Sequence, residues 1–190
     1  MITVENQLFS LHTRHTSYLF RVMETGHLEH LYYGRKIHPA IDGLMEQYAF
    51  APGNTNIYDS EHLQFSLEDA CLEMSSFGKG DIREPFVELT LSDGSETSDF
   101  LFEKFEQGTG KEEFETLPGS YDESGEVEWL GVTLRDKNSG VILELHYYVY
   151  EDCDVITRSA KLINESGDVV KLNRLMSLQL DLEPSDYVFT

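Results

Sequence analysis

Val141-Ile142-Leu143-Glu144-Leu145-His146-Tyr147-Tyr148-Val149-Tyr150 is the stretch whose reading decides the fold. Val141, Leu143, Leu145, Tyr147 and Val149 recur at every second position, the period at which a strand returns side chains to one face. The other face sets Glu144 and His146 among Ile142, Tyr148 and Tyr150. One aliphatic face and one mixed, aromatic face imply a sheet covered on both sides, by a second sheet or by another domain.

Outward from this strand the pattern continues. Val155 to Ile163 reads as the next strand, and Glu165-Ser166-Gly167-Asp168 turns the chain into another over Val170 to Leu180. There Val170, Leu172, Met176, Leu178 and Leu180 alternate with Lys171, Asn173, Ser177 and Gln179. Strands of about ten residues exceed the usual length of about 5–6 and predict a large sandwich. Nearer the N-terminus, Leu8 to His12, Ser17 to Met23 and His27 to Tyr33 form a first group, with Glu24-Thr25-Gly26 as a turn. Phe86 to Leu91 and Asp99 to Phe105 flank Ser92-Asp93-Gly94-Ser95, where Asp-Gly supplies the positive φ of a hairpin turn. A single short helix is expected over Leu67 to Met74, with Ser66 and Asp69 as a capping-box pair and Leu67, Cys71 and Met74 on one face. No repeat or low-complexity linker divides the chain. The expectation is one all-β domain over residues 1–190, a large antiparallel β-sandwich with at most one or two short helices. Tyr187-Val188-Phe189-Thr190 reads as a strand cut short, so further chain is expected to follow.

Composition bounds the function. Apolar residues make up 40% of the chain, with 10 Tyr and 11 Phe, too much for a disordered polymer. The 14 Lys and Arg face 35 Asp and Glu, giving a net charge of −21. Such a surface repels phosphate backbones and anionic headgroups, which argues against nucleic acid and membrane partners and for a neutral or cationic one. The acids crowd between Glu103 and Glu128, where only Lys104 and Lys111 oppose them, and this reads as a solvated loop. Met1-Ile2-Thr3-Val4-Glu5 has no basic or apolar leader character, and no run of about 18 apolar residues occurs, so a cytoplasmic location is expected. Cys71 and Cys153 then read as reduced, buried thiols, and the sequon at Asn164 as unglycosylated.

Candidate chemistry is sparse. His27-Leu28-Glu29-His30 suggests a metal, but on a strand His27 and Glu29 share a face while His30 points away, and spacing supplies no third ligand. Neither a phosphate loop, a dinucleotide fingerprint nor a nucleophile elbow is present, so no cofactor or metal is expected. Among 35 acids some carboxylates always lie close, so abundance proves no acid/base pair. Phe77-Gly78-Lys79-Gly80-Asp81-Ile82-Arg83-Glu84-Pro85 is more informative. Its glycines permit tight turns and Pro85 ends any helix before it, while Asp81 and Arg83 fall on one side of an extended segment. Arg83 could present its planar guanidinium to a sugar hydroxyl or an interface, and the plain alternative is a structural salt bridge or turn.

Taken in order, these residues resemble the N-terminal domain of bacterial family 36 glycoside hydrolases, the α-galactosidases. The matching features begin with Gly26-His27-Leu28-Glu29-His30-Leu31-Tyr32-Tyr33-Gly34 and Ala49-Phe50-Ala51-Pro52. Phe65-Ser66-Leu67-Glu68 and the Gly78 to Pro85 run follow. The C-terminal part adds Asp154-Val155-Ile156-Thr157-Arg158-Ser159, Asn164-Glu165-Ser166-Gly167 and Ser177-Leu178-Gln179-Leu180-Asp181-Leu182. The resemblance implies a β-supersandwich packed on a catalytic (β/α)8 barrel that follows it and carries two aspartates, a nucleophile and a general acid/base. It implies a homotetramer in which this domain reaches a neighbouring subunit's sugar site, through a carboxylate just before the Ala-Phe-x-Pro step. Here the matching position is Gln47, with Glu46 beside it. An amide still hydrogen-bonds a hydroxyl, without the charge assistance of a carboxylate. The loop from Gly53 to His62 departs from the family's proline-rich form. The substrate-edge residues expected are therefore Gln47, Glu46, Arg83 and Asp81, with no catalytic residue in this segment.

Two other functions stay open at the level of sequence. One is a stand-alone sugar-binding sandwich using Trp129, Tyr147 and Tyr148 as stacking platforms, although the default reading of a lone Trp129 is core. The other is a structural interaction domain without a ligand.

Overall fold

Strands β1 (Ile2–Glu5), β2 (Leu8–His12), β3 (Thr16–Val22) and β4 (Leu28–Arg35) form an antiparallel meander in the order β1-β2-β3-β4. The computed structural model to which they belong describes residues 1–38, 44, 57–112, 118–123 and 125–181. After β5 (Val87–Thr90), a second meander follows: β6 (Phe100–Thr109), β7 (Glu128–Asp136), β8 (Ile142–Tyr150) and β9 (Val155–Ile163). The last described strand, β10 (Lys171–Leu175), returns to pair with β5.

The inner faces of the two meanders form the core. Phe9, Leu11, Phe20 and Leu28 from the first meet Leu130, Val132, Leu134, Leu143, Leu145 and Tyr147 from the second, all buried. The alternation read for β8 holds, with Val141, Leu143, Leu145, Tyr147 and Val149 all facing this core. Burying a side chain of this size contributes about 1.5–3 kcal/mol. The all-β sandwich expected from sequence is the architecture observed.

Several elements differ from expectation. The Asp93-Gly94 turn forms, with Gly94 at φ +83°, but it does not make a hairpin. β5 pairs β10 while β6 pairs β7, so the chain changes sheet after this turn. The strand expected over Val170 to Leu180 closes at Leu175. The helix expected over Leu67 to Met74 shrinks to a single 3-10 turn, Leu67–Asp69, with the Ser66 hydroxyl accepting from the Glu68 N–H at 3.3 Å. Beyond that turn the chain is extended. The His30 N–H donates to the Cys71 carbonyl at 2.7 Å, the Glu73 N–H to the Leu28 carbonyl at 2.9 Å and the Phe86 N–H to the Ser75 carbonyl at 3.1 Å. Residues 71–76 thus stitch β4 to β5, which a helix could not do. β1 and β7 are strands that the sequence reading omits, and β6 with the start of β7 claims part of the acidic stretch read as loop. Cys71 is half-buried and Cys153 exposed, so the burial expected of the two thiols is not observed.

Between the layers lies a buried polar hub. Glu73, fully buried, accepts from the Tyr18 hydroxyl at 2.7 and 2.8 Å, the Tyr147 hydroxyl at 2.7 Å and His30 Nδ1 at 3.2 Å. Its Oε1 lies 2.9 Å from the Arg158 guanidinium, which also donates to the Glu73 carbonyl at 2.9 Å. Tyr18 and His30 belong to the first meander, Tyr147 and Arg158 to the second, so one carboxylate joins both. The Arg158 guanidinium carbon also lies 5.2 Å from the centroid of each of the Phe86 and Tyr147 rings.

Candidate functional site

Of the four substrate-edge residues, Glu46 and Gln47 lie outside the described residues. Asp81 and Arg83 sit in the loop that leads into β5. The loop's shape depends on Gly78, whose φ is +92° and where a Cβ would stand 3.1 Å from the Thr97 Cα. Neither the backbone angle nor the space accommodates a larger residue.

Asp81 and Arg83 face each other directly. Arg83 Nε donates to Asp81 Oδ1 at 2.8 Å and Nη2 to Oδ2 at 3.0 Å, the planar two-bond match of guanidinium and carboxylate. Nη2 also donates to the Leu67 carbonyl at 3.1 Å, and Nη1 bonds Asp181. Burial alone would lower the Arg83 pKa, but the adjoining Asp81 and Asp181 charges outweigh it and raise it. The Asp81 side chain is 1% exposed and that of Arg83 30%, so only the arginine reaches the surface. It opens onto a shallow depression of about 570 Å³, whose wall includes Glu68, Asp69 and Asp181. One Nη1 N–H of Arg83 has no partner among the described residues, and it and the nearby carboxylates are the groups that could meet sugar hydroxyls. Asp181 was not expected here, although it lies in the Ser177 to Leu182 motif.

A second cluster holds the preceding loop. Asp99, at the start of β6, is buried and accepts from the Tyr58 hydroxyl at 2.9 Å and His27 Nε2 at 3.0 Å, with Lys79 Nζ at 3.7 Å. Thr25 Oγ1 lies 2.9 Å from His27 Nδ1, so both ring nitrogens of His27 are engaged. Burial would raise the Asp99 pKa, yet the His27 hydrogen bond and charge, the Tyr58 hydroxyl and the Lys79 charge hold it below the ordinary value. His27, Glu29 and His30 turn to separate partners, namely Asp99, Arg21 and Glu73. Replacing Asp99 with alanine strands Tyr58 and His27, and the expected loss of stability is about 1–3 kcal/mol. Urea denaturation would show it, and a midpoint equal to the parent's would refute the clamp.

Of the aromatic platforms considered from sequence, Tyr147 is excluded, since it is 1% exposed and bonded to Glu73 in the core. Tyr148 faces the other side of the sheet but is only 3% exposed, which excludes it as well, whereas Trp129 is half-buried on that outer face.

Comparison with known proteins gives this arrangement a family. The model of the glycosyl hydrolase family 36 N-terminal domain matches residues 26–190. The bifunctional alpha-galactosidase/sucrose kinase AgaSK of Mediterraneibacter gnavus is 32% identical over 95% of this chain and 19% of its own length. Among solved structures, the family 36 alpha-galactosidase AgaB of Geobacillus stearothermophilus superposes with a TM-score of 0.90 at 28% identity, over 98% of this chain and 26% of that one. AgaA from the same organism, in complex with stachyose, gives 0.88 at 29% identity, over 95% of this chain and 25% of that one. The chain thus spans about a quarter or less of the length of these relatives. With the sandwich, the ordered motifs and the family model in agreement across most of its residues, the chain belongs to the glycosyl hydrolase family 36 N-terminal domains.

Proposed function

We propose that this chain is the N-terminal, non-catalytic sandwich of a retaining α-galactosidase that hydrolyses terminal α-galactosides of the melibiose and raffinose type. The observation that carries this reading is the family match over residues 26–190, joined to a relative of the same fold solved with stachyose bound. The reacting carboxylates belong to a barrel elsewhere in the longer polypeptide: one attacks the anomeric carbon, while the other protonates the leaving oxygen and then activates water. The sandwich braces that barrel, helps to build a cytoplasmic homotetramer and lends an edge to a neighbouring subunit's sugar site. Gln47 and Glu46 supply that edge together with Arg83, which Asp81 holds in place through two hydrogen bonds.

In the full-length enzyme, Gln47→Ala removes a neutral hydrogen bond worth about 0.5–1.5 kcal/mol, so kcat/KM on raffinose should fall roughly two- to tenfold. Unchanged kinetics would reject the neighbour-site role. Sugar cleavage by the 190-residue chain alone, followed by galactose release, would reject the non-catalytic assignment.

A further inference from the structure

The outer face of the β6–β9 sheet carries a groove of about 530 Å³. Its floor is Trp129, paired across the sheet with Gly108 on β6 and Tyr148 on β8. A Cβ at Gly108 would stand 2.8 Å from the indole Nε1, and one at Gly131 would stand 3.4 Å from Cζ3. The indole therefore lies down over the two glycines, one face on the sheet and the other turned to the groove. Any larger residue at Gly108 would lift it.

The polar lining is arranged around this plate. Glu144 Oε2 lies 3.4 Å from both His146 Nε2 and Lys161 Nζ, and Lys104 Nζ lies 2.8 Å from Glu106 Oε1. Lys111 covers the Tyr148 ring at 4.7 Å. In a chain of net charge −21, three lysines (104, 111 and 161) meet three glutamates (106, 112 and 144) along this groove. The balance favours neither a cation nor an anion. What it suits is a neutral ligand with an apolar face and many hydroxyls.

We infer that this groove is a second saccharide site, taking a neutral oligosaccharide whose terminal galactose stacks on Trp129. The axial hydroxyl of galactose leaves a patch of C–H groups on its opposite face, which an indole covers, while Glu144 and Glu106 accept from hydroxyls at its edge. The groove shares no lining residue with the depression beside Arg83, and every residue named in it belongs to this chain. Only the choice of galactose rests on the proposed function.

Trp129 is the single tryptophan of the chain, so its emission reports on this groove alone. Titrating the chain with raffinose or stachyose should give a saturable change in that emission. By calorimetry, Trp129→Ala should weaken binding about tenfold. Glu144→Gln keeps the indole as reporter and should weaken binding severalfold with an unchanged circular dichroism spectrum. A flat emission response, or equal affinity in Glu144→Gln, overturns the site. Saturation by maltotriose and not by raffinose overturns the galactose assignment. Failure of the Gln47 test in the full-length enzyme would leave this binding untouched, so the two readings fall separately.

Discussion

Replacing Arg158 with methionine is expected to destabilise the fold by about 3–5 kcal/mol at neutral pH, since breaking a buried ion pair leaves a charge with no counter-ion. Glu73 would be that charge. In the parent chain, burial pushes its pKa up, but the Arg158 charge, the His30 hydrogen bond and charge and the Tyr18 hydroxyl outweigh burial and hold it below the ordinary value. The sign of the pH dependence follows. A carboxyl depressed in the folded state stabilises above its unfolded pKa of about 4.3 and loses that contribution as pH falls through the folded value. Without Arg158 the burial effect dominates and the folded pKa rises above that reference. The deficit of Arg158→Met should then be largest at neutral pH, shrink as pH falls through the variant's raised pKa, and lose its Glu73 part only once pH lies below the parent's depressed value, where the carboxyl is protonated in both proteins. Urea midpoints at pH 7 and in acid would measure this, and a deficit independent of pH would remove Glu73 from the explanation. Exchanging both partners, Glu73→Leu with Arg158→Met, should recover most of the loss, because it buries no charge.

This hub also marks where reading the sequence stops. Period-two alternation finds β8, because one buried face is enough to show a strand. The same signal is present in β7, where Leu130, Val132 and Leu134 alternate, but its first residue merges with the acidic run and Gly131 interrupts it. β1 has four residues, and its turn is made by Asn6 and Gln7 at φ 50° and 62°, without the glycine that would announce it. Leu67, Cys71 and Met74 fit a helical stripe. What decides against the helix is that Leu72, Glu73, Met74 and Ser75 are all buried in succession, as befits a segment lying between β4 and β5 inside a sandwich. Nothing local marks Glu73 as interior. Its counter-ion is 85 residues away, and a buried charge is legible only with its partner. The candidate site is similar: Asp81 and Arg83 are neighbours and readable together, whereas Asp181 joins them only through the fold.

Replacing Phe20 with alanine should cost a similar amount, about 3–5 kcal/mol, by a route that carries no charge. Phe20 is fully buried and stacks on Phe9 at 4.7 Å and on Tyr147 at 5.2 Å, so it is one of the aromatic links between the two meanders. Truncation leaves a cavity bounded by residues of both sheets, which cannot both move inward without breaking their ladders. The loss should be the same at pH 7 and in acid, unlike that of Arg158→Met, since no proton is bound or released. Phe20→Leu, which fills part of the space, should cost less. Tyr147 connects the two effects, because the ring that Phe20 supports carries the hydroxyl that donates to Glu73. Phe20→Ala and Tyr147→Phe should therefore be non-additive, with a coupling of about 0.5–3 kcal/mol in a double-mutant cycle. Strict additivity would mean that the aromatic stack and the carboxylate hub hold the layers independently, and the shared role of Tyr147 would have to be abandoned.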